Sequence, residues 1–562
     1  VSFLKAGAHY SNKMFEIKAR EGLGRIGRFS VNNKSIITPN IAVVVNPNNQ
    51  LITPRELYDK FKADLIITNA YIINRSKFKD DILNKGLHKH YDFPGLIYTD
   101  SGTYQMFSKG EVGISNEETV NLQKKLGSDI ITPLDLFTLP TDNKKNATSK
   151  LVETIKRFKQ ASKLASNIVY PIQGGSFIDL RVKACKEAYN HNPLIHAIGG
   201  IVPLMINYDF KRLIELILNC KQSLPAGTPI HAFGAGHPII FSLLVLAGVD
   251  LFDSASYALY AHEGRYLTEL GTRIVKELQF LPCNCPVCSS NKAIDLVNDE
   301  SLLARHNLYV IMREINQIRE AIHDNKLFDL VSSRVRAHPN LYYAYKWLLE
   351  QKPFNESDPI TKSSALFWTG ELSNLRPELL KAKARLKEIG FKSVPKPFRL
   401  IYPFGQSEGI KFDYSKKDYD DLSSIRLIAD YQLGLGAGSA LFPEKTRIVY
   451  TSNNRINQLW LDNELLCILR ASDGHLIIHK AGVLRIKKFL KKVTVKPEVA
   501  EFPEKGGNVF AKHVIKSSPN IKPGEEVLVM SAKPIAIGEA LLNSREMKEF
   551  KQGVAVIVRE GI

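Results

Sequence analysis

The chain has 562 residues, more than one hydrophobic core normally supports, so a large domain with smaller ones attached is expected. Its apolar fraction of 44% is that of a soluble globular protein, and no unbroken apolar run is long enough to span a bilayer, which argues against a helical membrane protein. A formal charge of +19 exceeds any structural need and points to a polyanionic partner, most often nucleic acid, with a lysine-rich proteome bias as the bland alternative.

Val1–Tyr10 is too short and too mixed for a signal peptide, and the patternless stretch before Met14 puts the expected native start near that residue. From Met14 to about Arg55 come short β-like runs broken by Gly and Asn, ending in Ile41–Pro47. A rhythm then sets in. Apolar runs at Val43, Leu65–Asn69, Leu96–Asp100, Ile130–Asp135, Ile168–Gln173, His196–Gly200, Ile230–Gly234 and Leu251–Ser254 alternate with helix-period stretches such as Lys150–Ser166 and Tyr208–Gln222. Eight β units joined by helical crossovers predict an α/β fold of the (β/α)8, TIM-barrel type. A doubly wound open sheet is the runner-up, disfavoured because no Gly-x-Gly-x-x-Gly follows the first strand.

The ends of these runs carry the chemistry. Asp100-Ser101-Gly102, Asp135, Gln173-Gly174-Gly175, Gly199-Gly200 and Asp253-Ser254-Ala255 stand where the strands of a barrel converge on one mouth. Any one such Asp can simply cap the next helix. Together they predict a pocket with Asp100 and Asp253 facing each other and Asp135 and Gln173 on its wall. Two carboxylates suit chemistry at an acetal carbon, one attacking and the other managing the leaving group's proton. The Gln173 amide and the Asp135 carboxylate offer complementary groups to a planar heterocycle, and Tyr104 offers a stacking face. A purine-like base cleaved from a sugar fits this set.

Six cysteines in a chain this long do not make a disulfide scaffold. Cys185, Cys220 and Cys467 sit singly in periodic segments and read as small core residues. Cys283, Cys285 and Cys288 crowd together and suit a soft metal. His306 is the expected fourth ligand, with His262 and His323 as the other nearby candidates; Cys3His is a closed, structural zinc set. The stretch after His306 has Leu308, Ile311, Ile315, Ile318 and Ile322 on one face and reads as the barrel's last helix.

The segments Thr99–Gln105, Pro171–Gly174, Phe233–Pro238, Asp250–Tyr257 and Cys283-x-Cys285-x-x-Cys288, in that order, resemble the tRNA-guanine transglycosylases, most closely the archaeal archaeosine type. The resemblance runs from about Phe15 to the C-terminus. It implies a zinc-bearing barrel in the cytoplasm that exchanges a guanine of tRNA, expected at nucleotide 15 in the D-arm, for 7-cyano-7-deazaguanine, and it implies a homodimer. By motif, Asp253 is the expected nucleophile and Asp100 the general acid/base. Ser101, Tyr104, Asp135, Gln173, Gly200, Ile201 and Val202 are the expected base pocket. Thr103 and Tyr104 depart slightly from the family's usual residues. Where queuine-type relatives carry a Glu just after the Gly pair, this chain has Val202-Pro203-Leu204, an apolar surrounding better suited to a nitrile than to an ammonium.

Pro353–Asp358 reads as a linker, and the expected division is a catalytic barrel over 1–352, small α+β domains over 353–416 and 417–491, and a tail over 492–562. The basic run Arg485–Lys492 reads equally as a solvated helix face or a phosphate-binding strip. In the β-rich tail, Val509–His513 and Gly538–Leu542 resemble a PUA domain, a small RNA-binding β-barrel. The competing function is a tRNA-binding paralogue or accessory subunit on an idle barrel; retention of both Asp100 and Asp253 favours the enzyme. A sugar hydrolase using the same carboxylates is the third reading, disfavoured by the charge and the tail.

Overall fold

The computed structural model describes residues 13–103, 105–106, 114–139 and 141–562, which form two compact units. The first comprises residues up to Ala19, Gly24–His323 and Leu330–Leu348; the second comprises Arg20–Leu23, Asp324–Asp329 and Leu349–Ile562.

Three antiparallel strands, β1 (Lys13–Glu21), β2 (Gly24–Val31) and β3 (Lys34–Thr38), lead into the first unit. Asn32 and Asn33 both take positive φ in the two-residue turn between β2 and β3, as the twist of a tight hairpin requires. Eight parallel strands follow: β4 (Asn40–Val44), β5 (Leu65–Asn69), β6 (Leu96–Asp100), β7 (Ile130–Ile131), β8 (Val169–Ile172), β9 (Ile195–Ile198), β10 (Ile230–Ala232) and β11 (Leu251–Ser254). Their order is β7-β6-β5-β4-β11-β10-β9-β8, and a parallel bridge from Ile131 to Ile168 joins the two ends, so the sheet closes into the predicted barrel. The strands read as continuous apolar runs because both faces are covered, as in β5, where all five residues are buried.

Helices α1 (Lys144–Leu164), α2 (Ile178–Glu187), α3 (Phe210–Ser223) and α4 (Pro238–Leu246) cross over between the last strands. Each turns an apolar stripe inward; in α3 the stripe is Phe210, Leu213, Ile214 and Ile217. After β11, a hairpin of β12 (Arg265–Thr268) and β13 (Gly271–Ile274) and the cysteine loop precede α5 (Glu300–His323), which buries the predicted stripe from Leu308 to Ile322. Cys185, Cys220 and Cys467 are fully buried, as expected of core residues.

The seventh strand is shorter than its sequence suggests. It ends at Ile131, and Asp135 stands four residues further on in irregular chain, since Pro133 has no N–H to continue the ladder.

In the second unit, helices Pro377–Glu388 and Asp421–Leu433 and a four-stranded antiparallel sheet (447–478) share one core with the terminal six-stranded sheet, whose Leu528 and Ile537 are buried beside Phe398, Leu459 and Leu466. The segment Pro353–Asp358, read as a linker, ends in a fully buried Asp358. It lies 3.3 Å from the ammonium of Lys362, which also meets Glu21 at 2.8 Å and Glu378 at 2.7 Å, while Arg376 joins Glu378 and Asp329 at 2.7 and 2.6 Å. A Pro/Asn/Ser stretch looks solvated in sequence; only the fold brings these cations to it. In the basic run Arg485–Lys492, Arg485 donates to the Ala440 and Leu441 carbonyls and Lys491 pairs with Glu525 at 2.7 Å.

Candidate active site

Asp100 closes β6 and Asp253 lies in β11, and the two line one cavity of about 520 Å³ together with Asn69, Gln105, Phe233 and Tyr257. The carboxylates sit in different surroundings. Asp100 Oδ2 accepts 2.8 Å from Asn69 Nδ2, which also reaches Gln105 Oε1 at 3.0 Å. Asn69 is itself fixed, because its Oδ1 caps the following helix at Ile72 N. Burial, then the negative charge of Asp135 and less so of Asp253, pushes the Asp100 carboxyl up to about 7, against the pull of the Gly102 and Ser101 backbone N–H groups. A carboxylic acid that titrates near neutrality can both give and take a proton.

Asp253 is held through one oxygen. Oδ1 accepts from the Gly234 N–H at 2.7 Å and from His231 Nε2 at 3.0 Å. No hydrogen bond to Oδ2 is found among the described residues. Gly234 has φ +87, and a Cβ there would come within 2.4 Å of the Val202 side chain, so only glycine brings its N–H to Asp253. His231 is fully buried among rings, with Phe233 at 4.7 Å and Tyr98 at 5.6 Å.

The residues expected from the sequence to form the base pocket gather near this cavity. Gln173 Nε2 donates to Asp135 Oδ2 at 2.5 Å, and Thr103 also hydrogen-bonds Asp135, whose carboxyl burial pushes upward against both. Gln173 Oε1 is buried with no partner, an acceptor left for a ligand's N–H. Gly200 lies against it, with φ +70 and a Cβ position 3.4 Å from that oxygen. Ile201 is fully buried and Val202 partly exposed. Asp135 faces a cavity of about 540 Å³ together with Thr103, Met106 and Leu134. Ser101 is buried, its hydroxyl 3.2 Å from that of Thr103. Tyr104 lies outside the described residues.

Sequence reasoning named Asp100, Asp253, Asp135 and Gln173 but missed Asn69, His231 and Gly234. Asn69 was within reach, since it ends β5 as Asp100 ends β6. His231 was not, because a histidine inside an apolar run reads as a core residue.

Apart from this pocket, Cys283, Cys285, Cys288 and His306 bring three sulfurs and one nitrogen within 4.8 Å of one another. That spacing fits a tetrahedral ion with metal–sulfur bonds of roughly 2.3 Å. His306 Nε2 donates to the Leu267 carbonyl at 3.0 Å, which leaves Nδ1 facing the sulfurs of Cys288 at 3.2 Å and Cys285 at 3.5 Å. Tyr266 stacks on the imidazole with ring centroids 3.6 Å apart. His262 points elsewhere, exposed beside Glu300, and takes no part in the group.

Residues 20–340 match the family model described as Queuine tRNA-ribosyltransferase, residues 423–492 the patch-forming domain C2 of tRNA-guanine transglycosylase, and residues 491–562 the PUA domain. The chain is 40% identical to the tRNA-guanine(15) transglycosylases of Pyrococcus abyssi and Pyrococcus furiosus, with 98% of each chain covered. It is likewise 40% identical to that of Thermococcus onnurineus, over 98% of this chain and 99% of the relative.

Proposed function

This chain belongs to the tRNA-guanine transglycosylase family, in its archaeal archaeosine-type branch, and we propose that it exchanges guanine 15 of tRNA for 7-cyano-7-deazaguanine by double displacement at Asp253. The observation that carries this reading is the pair of carboxylates on one cavity, one held through a single oxygen and the other titrating near neutrality. Asp253 Oδ2 attacks C1′ of the ribose as the bond from C1′ to N9 breaks, and Asp100 gives its proton to the departing guanine. The incoming base then loses its N9 proton to Asp100 and attacks C1′, releasing Asp253. Two inversions give net retention with no outside energy source.

Ser101, Asp135, Gln173, Gly200, Ile201 and Val202 hold the base, with Tyr104 as its stacking face. The free Gln173 oxygen and the apolar Val202 side chain support a planar base carrying an uncharged substituent. Cys283, Cys285, Cys288 and His306 would hold zinc, whose chemistry here is structural: it closes the loop onto α5. The PUA tail supports tRNA binding, as does the charge of +19. No helix among the described residues is long and apolar enough to cross a membrane. We assign the barrel to about 1–352, with small α+β domains over 353–416 and 417–491, an RNA-binding tail over 492–562, a cytoplasmic location and a homodimeric assembly that light scattering tests. Incubation with tRNA carrying labelled guanine at position 15 tests the function: label is released when 7-cyano-7-deazaguanine is added, and its retention refutes the reading.

A further inference from the structure

Arg181 has no place in the chemistry above, yet its position is an expensive one. It lies in α2, one turn in from the helix N-terminus, where a positive charge opposes the helix dipole. It is fully buried, and burial holds its guanidinium below the usual range. No carboxylate pairs with it among the described residues. Its partners are three main-chain carbonyls instead: Nε donates to Gly175 O at 3.0 Å, and Nη1 to Ile172 O at 2.7 Å and Gly199 O at 2.8 Å.

These carbonyls belong to the ends of two neighbouring strands. Ile172 and Gly175 bracket Gln173 after β8, and Gly199 precedes Gly200 after β9. Ile172 O also takes the Gly199 N–H at 3.2 Å, so the guanidinium completes a link the sheet itself begins. Nη2, the one nitrogen left, is buried with no partner and lies 3.5 Å from the point a Gly200 Cβ would occupy; the unpartnered Gln173 Oε1 lies 3.4 Å from the same point. An orphan donor and an orphan acceptor thus flank the backbone of Gly200.

We propose that Arg181 is a positioning residue for base recognition: by clasping the two glycine-bearing strand ends it fixes the Gln173 amide and the Gly200 backbone side by side, so that both can meet the edge of one planar base. The proposal rests on the reading of this pocket as the base site. The planar fork is what the task needs, since one guanidinium can bind three carbonyls at fixed angles, whereas a lysine ammonium on a flexible stem holds no such geometry. A merely structural arginine would cost stability when replaced but leave the affinity for free base alone.

The test compares full-length Arg181→Lys with wild type and with Cys185→Ala, a substitution at another fully buried position on the same helix. Calorimetric titration with guanine and, separately, binding of tRNA are measured well below each unfolding midpoint. The expected result is a 10- to 100-fold weaker affinity for guanine in Arg181→Lys, tRNA affinity within about twofold of wild type, and guanine affinity unchanged in Cys185→Ala, on the scale of a lost charge-assisted hydrogen bond. In exchange assays the KM for the incoming base rises while the KM for tRNA holds. Equal loss of guanine affinity in both variants, or none in Arg181→Lys, overturns the proposal. If Arg181→Lys does not fold, Arg181→Gln is read in its place; failure of both to fold makes the residue one that only builds the barrel, and overturns the proposal too. Wild-type protein that binds no guanine would instead defeat the reading of the pocket, a separate outcome.

Discussion

His231 donates its Nε2 proton to Asp253 Oδ1 across 3.0 Å from a position with no solvent exposure. Its Nδ1 is buried with no partner, so the tautomer protonated at Nε2 is the one this geometry requires. His231→Phe keeps the ring packing against Phe233 and removes the donor. The expected result is a roughly 10- to 100-fold lower kcat with tRNA affinity unchanged, and partial recovery in His231→Gln, which restores an N–H. Full activity in the phenylalanine variant would reduce His231 to packing.

If Asp253 is the nucleophile, Asp253→Asn abolishes exchange while tRNA binding stays within a few-fold, because the amide is isosteric and a poor nucleophile. Denaturing gels after incubation with labelled tRNA give the readout. An RNA adduct that survives in the asparagine variant means another residue attacks.

The Asp100 carboxyl, raised from 3.8 to about 7, ties stability to pH. The folded protein holds this proton through a range where the unfolded chain has lost it. Its contribution is therefore complete below about pH 4 and is lost as pH rises through 7. Asp100→Asn should then be more stable than wild type at pH 8, by at most about 4 kcal/mol and read as a higher unfolding temperature, with the difference vanishing near pH 4. The same variant loses turnover, and wild-type release of guanine declines above pH 7 as Asp100 loses the proton it must give. A less stable Asp100→Asn at pH 8 contradicts the burial argument.

Removing a thiolate should break the metal group. Cys285→Ala, or a strong chelator acting on the intact protein, is expected to lower the metal content and the unfolding midpoint together, because metal binding and folding of this loop are one equilibrium. Elemental analysis gives the first quantity and calorimetry the second. One zinc per chain retained in Cys285→Ala would refute the assigned ligands.

Lys362 is fully buried between Glu21, Asp358 and Glu378. Lys362→Met leaves these carboxylates without their central cation and should cost about 3–5 kcal/mol, read from denaturant unfolding. A loss below about 1 kcal/mol would mean that Arg376 and Lys381, which lies 3.3 Å from Asp358, suffice for the cluster.

The barrel was legible because β4 to β11 are buried on both faces and therefore read as unbroken apolar runs between turns. Asp100 and Gln173 were legible for the same reason, as polar residues ending such runs. Asp135 was read as ending its strand, whereas the strand stops at Ile131, since nothing in Ile130–Asp135 except Pro133 marks where the ladder ends. Arg181 looked like any basic residue on an amphipathic helix, and its burial depends on carbonyls from two strands. The Lys362 cluster was invisible because Glu378 is 16 residues away and Glu21 is 341. Charge pairing at such separations leaves no periodicity to read.

That last separation bears on how the protein is made. Glu21 is translated early, but Lys362 follows it by 341 residues. At about 5–20 residues per second, the carboxylate waits roughly 17–70 s on the ribosome for its cation. Arg20, beside it, waits longer still, for Glu546 at 2.9 Å. β1 therefore leaves the ribosome with its last two residues awaiting partners that do not yet exist. A nascent chain stalled before Lys362 keeps both charged side chains in water, without the partners that bury them in the finished fold.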